Sequence, residues 1–303
     1  MKSILIKAIP FLIVFFAINF IVYKTSPFYK QESKYSNRID SIISSKPKVV
    51  FLGDSHSESI KHLNLSENVG NLAFGADGIK EMYIKTLIMD KYNPELEYVF
   101  ISTEPQMFNN SISSNSTFLN KYLLKIKDPK NIYNKSNLNL ITENIPYLND
   151  NYLRYFLNNV YAYLRNINKS DTNGNTPINW SEVSNSEKIK IASNAGIADH
   201  NGIMTNDEDL EIYKAIVNKL KLKNVKVIGI RFPVNEHYLN QCNKEDFDRV
   251  NHFINNLNLD YNLDYSLKLK NALYFENEDH LNKIGMQKLS KLIYRDTGIK
   301  LSK

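Results

Sequence analysis

The sequence predicts an α/β protein: a three-layer α/β/α domain on a parallel sheet, with a helical insertion and one N-terminal transmembrane helix in front of it. Three observations lead there. Short runs of apolar β-formers alternate with segments of helical periodicity, the pattern of a parallel sheet covered on both faces. The composition from about 107 to 200 shifts to Asn, Ser, Tyr and Lys, with helical patterns of its own. The stretch AIPFLIVFFAINFIVY, Ala8 to Tyr23, carries no charge.

The N-terminal run reaches the roughly 20 residues of a spanning helix if Ile4 to Ile6 extend it and Lys7 snorkels to the interface. VYKTSPFY, which follows, has no small-x-small cleavage site, so an uncleaved anchor is expected rather than a signal peptide. The organisation this implies is an anchor over 1–30 and an α/β domain over 31–303, with the insertion at 107–200. Lys2 and Lys7 on one flank oppose Lys24, Lys30, Lys34 and Arg38 on the other, so flanking charge does not set the orientation.

The elements follow in order. QESKYSNRIDSIISS places Tyr35, Ile39, Ile42 and Ile43 at helical spacing, and Pro47 ends that helix. Val49 to Leu52 is a buried strand followed by a helix beginning near His56. A short strand at Val69 to Leu72 leads to a helix over Gly78 to Tyr92, and Leu96 to Ser102 is a second strong strand stopped by Pro105. Inside the insertion, helical patterns fall at Phe118 to Ile126 and Asn151 to Ile167, and the single Trp180 and the many Tyr are expected to pack in a core. NDEDLEIYKAIVNKLKLK, capped near Asn206, has an acidic first turn and a basic last turn that suit the helix dipole. VKVIGIRF is the third strand, KEDFDRVNHFINNLN a helix, NALYF the fourth strand and NKIGMQKLSKLIYRDTG the closing helix.

Composition excludes several function classes. The 38 Lys and Arg against 32 Asp and Glu leave a charge of +6, but the basic residues are scattered, which is not a nucleic-acid footprint. Cys242 is the single cysteine, a bystander thiol, so there is no internal disulfide, multi-cysteine metal site or redox pair. No internal repeat and no Gly-rich phosphate loop is present.

Two places carry chemistry. KPKVVFLGDSHSES lifts Asp54, Ser55 and His56 to the carboxyl end of the first strand, where α/β proteins bind ligands. YFENEDHLNKIG puts His280 in the loop before the last helix, at the same edge. A serine hydroxyl is inert at its own pKa, so a histidine within reach is what makes it a nucleophile. Simpler roles compete: Asp54 as a helix cap, His56 and His62 as surface residues, and Arg231, at the end of the third strand, as an ion pair rather than an anion-binding group.

Gly53, Asp54, Ser55, His56 and Ser57 resemble the first block of the SGNH (GDSL-like) hydrolase superfamily, and Asp279 to Gly285 resembles its last block. Asn71 to Leu87 is similar to the second block. With the N-terminal anchor, the pattern looks most like the membrane-anchored envelope branch that includes alginate O-acetyltransferases and teichoic-acid D-alanyl transfer proteins. The resemblance implies a flavodoxin-like α/β/α fold, Ser55 as acyl-accepting nucleophile and His280 as its base. It implies an oxyanion site from the N–H of Ser55 and one from the Gly75/Ala76 turn; Asp54 in the first block and Arg231, from its place at the end of the third strand, are the candidate substrate-binding residues. The family's acid usually lies three residues before the histidine, where this chain has Asn277. The orienting group is therefore Asp279, Glu276 or Glu278, or the Asn277 amide itself. The third block normally ends in an asparagine, and here the strand ends in Thr103 and Glu104.

The function expected on this reading is a serine-dependent acyl-ester transferase or esterase working through an acyl-serine, with no cofactor and no metal. Its expected setting is the bacterial cell envelope, single-pass with the bulk extracytoplasmic. Its expected partners are an envelope glycan or other acylated polymer, a membrane acyl-donor protein, and the membrane through the N-terminal helix. The rival is an inactive domain of the same fold that binds or assembles in the envelope, favoured by Asn277 and the ISTEP strand end.

Overall fold

The computed structural model describes residues 2–25, 27–108, 116–126, 132–133, 136–143, 145–164, 180, 182–200, 205–241 and 244–303. The expectation for Cys242 lies outside them. The chain forms two compact units: Met1–Asn37 with Thr117–Asn175, and Arg38–Ser116 with Thr176–Lys303.

In the first unit, α1 (Lys2–Thr25) is followed by the start of α2 (Pro27–Ser45), with α5 (Asn120–Leu123), α6 (Asn137–Glu143) and α7 (Asp150–Leu164) contributed by the insertion. Val22 of α1 is buried, and Tyr23 stacks on Tyr152 of α7 at 5.7 Å. Tyr35 is buried against Phe118, 5.2 Å between ring centroids. The helix expected at the N-terminus is therefore present, but the anchor reading is corrected. Among the described residues no helix is long and apolar enough to cross a membrane. Lys7 and Lys24 bracket the uncharged stretch Ala8 to Tyr23, which at 1.5 Å per residue covers about 24 Å of a hydrocarbon core about 30 Å thick. The single-pass topology, the membrane as a partner and the envelope placement of the bulk of the chain fall with it.

The second unit holds a five-stranded sheet in the order β2-β1-β3-β4-β5, with every pairing parallel. The strands are β1 (Val49–Leu52), β2 (Val69–Asn71), β3 (Tyr98–Ser102), β4 (Lys226–Arg231) and β5 (Tyr261–Asp264). All four residues of β1 are buried, as a central strand covered on both faces requires. Between the strands run α3 (Ser55–Glu58), α4 (Ile79–Tyr92), α8 (Asn185–His200), α9 (Asp207–Leu222), α10 (Glu236–Leu239) and α11 (Lys244–Asn255), and α12 (Lys283–Thr297) closes the domain. Val49, Phe51, Phe100, Ile228 and Ile230 form one apolar cluster with Met286, Leu289 and Ile293 of α12. Phe51 and Phe100 stack across the β1/β3 pair with centroids 4.4 Å apart. The fold is thus a parallel five-stranded sheet flanked by helices, without the transmembrane helix expected in front of it.

The helix ends follow local chemistry. Asn206 caps α9 by accepting from the Glu208 N–H at 3.0 Å, ahead of Asp207, Glu208 and Asp209. Asn282 caps α12 through the N–H groups of Ile284 and Gly285, and Gly298, at φ 74°, ends it.

One strand differs from expectation. NALYF forms a 3-10 turn, Ala272–Tyr274, because Asn271 accepts from the Leu273 N–H at 2.9 Å and starts a turn. The fifth strand is Tyr261–Asp264 instead, a short edge strand whose residues are mostly exposed and therefore show no apolar run.

Candidate active site

In the order β2-β1-β3, the chain leaves β1 to one side and returns to the other, so a crevice opens at the carboxyl ends of β1 and β3, the switch point where open α/β sheets bind ligands. Gly53 begins the exit from β1. Its φ of 151° favours glycine, and a Cβ there would lie 2.8 Å from Ser102 Cβ of β3 and overlap Ser57 Oγ. Asp54 then caps α3, accepting from the His56 N–H at 3.1 Å, so the capping role read from the sequence is present. Ser55 is the first residue of α3 and is half-buried.

His56 is not a surface residue. It is 3% exposed, with Nε2 3.2 Å from Asp279 Oδ2 and Nδ1 3.4 Å from Glu104 Oε1, the latter an ion-pair distance without hydrogen-bond alignment. Both ring nitrogens face carboxylates, which only the doubly protonated imidazolium satisfies. Burial opposes that charge, but Asp54, Asp279 and Glu104 outweigh it and raise the His56 pKa well above its ordinary value. Glu104, just past β3, is itself fixed by accepting from the Phe232 N–H at 2.7 Å.

The His280 loop is closed by the Phe275–Leu281 bridge and by the Glu276 N–H to His280 carbonyl bond of 2.9 Å. Asn277 Oδ1 accepts from the His280 N–H at 2.7 Å and the Asp279 N–H at 3.2 Å, and it also lies 3.2 Å from His280 Nδ1. Asp279 Oδ1 lies 2.6 Å from the same Nδ1. Both neighbours of Nδ1 are acceptors, so Nδ1 carries a proton, and in the neutral ring the lone pair is on Nε2. His280 Nε2 makes no hydrogen bond among the described residues, and the ring is partly exposed. Burial raises the Asp279 carboxyl, but hydrogen bonds from His280 and His56 overcome it and hold the group well below the usual carboxylate range.

Of the three loop acids, Asp279 is the one on the His280 ring. Glu276 reaches His62 at 3.7 Å, and the Glu278 carbonyl accepts from the Asn235 N–H at 3.0 Å.

The Gly75/Ala76 turn lies against Ser55, since a Cβ on Gly75 would be 3.9 Å from Ser55 Cβ. The Gly75 N–H is already committed to Glu58 Oε2 at 2.8 Å, and Glu58 is tied to Arg38 at 2.9 Å. The N–H groups of Ser55 and of Ala76, the latter at φ 63°, meet no acceptor among the described residues. No hydrogen bond joins the Ser55 hydroxyl to His280; the two are related through His56, whose ring meets the His280 ring edge-on at 4.9 Å.

Arg231 is not brought to this cluster. Its guanidinium is buried, donates to the Thr103 carbonyl at 3.0 Å and to Asn251 at 2.9 Å, pairs with Asp264 at 3.2 Å and stacks on Phe247. It ties the carboxyl ends of β3, β4 and β5 together. A cavity of about 300 Å³ lined by Ile189, Val234, Leu269 and Phe275 borders the root of the His280 loop, but neither Ser55 nor His280 lines it.

His56, Asp279 and His280 are the grouping among the described residues whose donor atoms, within 4.8 Å of one another, come near enough to share a cation. Here the carboxylate already bridges both rings, and the charged His56 occupies the electrostatic place a cation would take.

Sequence reasoning missed His56 and Glu104 as members of the site. The signal for Glu104 was a carboxylate two residues past the buried central strand β3, a position that faces the switch point.

No protein-family model and no curated protein matches the chain. The expected membership of the SGNH superfamily is therefore corrected, and local structure accounts for the residues that carried the resemblance. Asp54 and Asn282 are helix caps. Gly53 and Gly285 stand where a Cβ would meet Ser102 and the Tyr274 backbone. A strand-turn-helix and a loop-helix junction demand such residues in any α/β domain.

Proposed function

We propose that this protein carries out serine-dependent acyl-ester chemistry, as an esterase or acyl transferase, with Ser55 as nucleophile, His280 as base and Asp279 as the acid that orients it. One observation carries the reading. The His280 ring is held at Nδ1 by the Asp279 carboxylate, its Nε2 lone pair is unclaimed, and its neighbour His56 directly follows Ser55.

In the first step Ser55 Oγ attacks the ester carbonyl carbon while its proton passes to His280 Nε2. The tetrahedral intermediate collapses with departure of the alcohol, which takes that proton. Water or an acceptor hydroxyl then attacks the acyl-Ser55 with His280 again as base. The idle N–H groups of Ser55 and Ala76 are suited to the developing oxyanion, a role in which one donor is worth about 3 to 4 kcal/mol. The missing Ser55–His280 hydrogen bond is compatible with this, because such contacts often tighten only when substrate binds.

The test is labelling with a fluorophosphonate, followed by turnover of a chromogenic acyl ester. Ser55 is expected to be the labelled residue, and Ser55→Ala to lose both labelling and turnover. Full turnover in that variant refutes the covalent route. A second reading, a non-catalytic binding domain, is favoured by the Gly75 N–H, which Glu58 already occupies. Absence of both labelling and turnover in the wild-type protein would select it.

A further inference from the structure

From the geometry we infer that His56 is a positioning residue: as an imidazolium clamped between Glu104 and Asp279, it ties the His280 loop to the switch point of the sheet and sets the charge under which His280 works. The inference rests on the serine-esterase reading above and extends it to a residue whose ring contacts are Glu104 and Asp279 rather than the Ser55 hydroxyl.

An unbroken chain of contacts carries it. The Phe232 N–H, just past β4, holds Glu104 at 2.7 Å; Glu104 faces His56 Nδ1 at 3.4 Å; His56 Nε2 meets Asp279 Oδ2 at 3.2 Å; and Asp279 Oδ1 meets His280 Nδ1 at 2.6 Å. The Asn277 bonds are internal to the loop and shape it, whereas the His56 contact fixes the Asp279 carboxylate from outside, on an element that starts directly after β1. The groups facing His56 are Asp54 beneath it, Glu104 from the end of β3, and Asp279 and His280 from the loop. Three of these are carboxylates, so a positive ring is the arrangement that keeps the crevice from self-repulsion.

The charge also has a chemical consequence. Asp279 places a full negative charge against the Nδ1 side of the His280 ring. With a positive ring 4.9 Å away, the orienting bond is kept while much of the negative field is cancelled. His280 is then oriented by Asp279 without standing in the full field of that carboxylate.

The experiment compares full-length wild type, His56→Gln and Glu104→Gln in acyl-ester turnover across pH, with fluorophosphonate labelling of Ser55 in parallel. Gln at 56 retains a donor toward Asp279 without the charge. The expected result is a fall in kcat of about 10²-fold with KM little changed, the scale of a small misplacement of a catalytic group. The acid limb of the kcat/KM profile is expected to move up by about one to two pH units. A role confined to stability would lower the folded fraction and leave that limb in place. Glu104→Gln loosens the same ring but removes a negative charge, so it should lower kcat by less and move the acid limb slightly down rather than up, which keeps the test decisive if His56→Gln does not fold.

A labelled, active wild type whose kcat and acid limb are unchanged in both variants overturns this inference and leaves the serine mechanism standing. An unlabelled, inactive wild type overturns both. Turnover abolished by 1,10-phenanthroline and restored by zinc overturns it as well, since the cluster would then hold a metal rather than a proton.

Discussion

Raising the pH through the range where His56 loses its proton should destabilise the protein, and the size of the effect follows from the burial of that ring. His56 is held charged in the folded state, with its pKa well above the ordinary value despite the cost of burial, because Asp54, Asp279 and Glu104 face it. A histidine whose pKa is raised on folding contributes stability that is fully present below its unfolded pKa, about 6.5, and is lost as pH rises through the folded value. Between those two limits the folded chain binds one more proton than the unfolded chain, so unfolding free energy falls by about 1.4 kcal/mol per pH unit. For a domain of this size that corresponds to about 3 to 5 °C of melting temperature per unit.

Asp279 acts in the opposite direction and elsewhere on the scale. Its carboxyl is depressed on folding, so its contribution is present above about pH 3.9 and lost only as pH falls further. The cluster is therefore most stabilising between about pH 4 and 6.5. Urea unfolding of wild type and His56→Gln at half-unit steps from pH 5 to 9 measures the slope directly. The wild type should lose stability above about pH 6.5 and the variant should be flatter there by about one proton's worth. Equal slopes in the two proteins, or a buried histidine that titrates near its ordinary value by NMR, would refute the argument that three carboxylates hold the ring charged.

Other outcomes follow from single contacts. Asp279→Asn removes the charge and one of the two oxygens that bridge His280 Nδ1 and His56 Nε2, and should cut acyl-ester kcat by about 10³- to 10⁴-fold with the fold intact by circular dichroism; a loss under tenfold would move the orienting role to Asn277. Lys85→Met takes from Asp77 the cation with which it forms a fully buried ion pair, in which Lys85 also reaches the Leu72 carbonyl at 2.5 Å. Unfolding measurements should show a loss of about 3 to 5 kcal/mol, most of it recovered in the Asp77→Leu/Lys85→Met double variant. Gly53→Ala meets Ser102 Cβ at a φ only glycine accepts comfortably and should cost about 2 to 4 kcal/mol; an unchanged denaturation midpoint would contradict the close approach of β1 and β3.

Local chemistry alone determined much of this protein. The apolar runs at Val49–Leu52, Tyr98–Ser102 and Lys226–Arg231 are strands, and Asn206 and Asn282 start helices, because such preferences are settled within a few residues of chain. For the same reason the strand-to-helix turn at Gly53–Ser55 and the loop before α12 that carries His280 were legible as two junctions. The apolar N-terminus was legible as a helix, but its span depends on how Lys7 and Lys24 bound it and on Val22 and Tyr23 being taken up in packing. The edge strand Tyr261–Asp264 was hidden because an exposed strand needs no apolar pattern, while NALYF was turned aside by one Asn271 side-chain bond.

Only the tertiary structure decided which polar groups meet. Glu104 and Asp279 stand far from His56 in sequence, and His56 looked like a surface residue until the β1-β3 crevice folded around it. Arg231 faced the same uncertainty and went the other way, into contacts with Thr103, Asn251 and Asp264. The physical reason is common to both. A charged side chain carries no local preference strong enough to announce its partner, and its burial is tolerated or forbidden by opposite charges that the chain brings together only when the sheet is assembled.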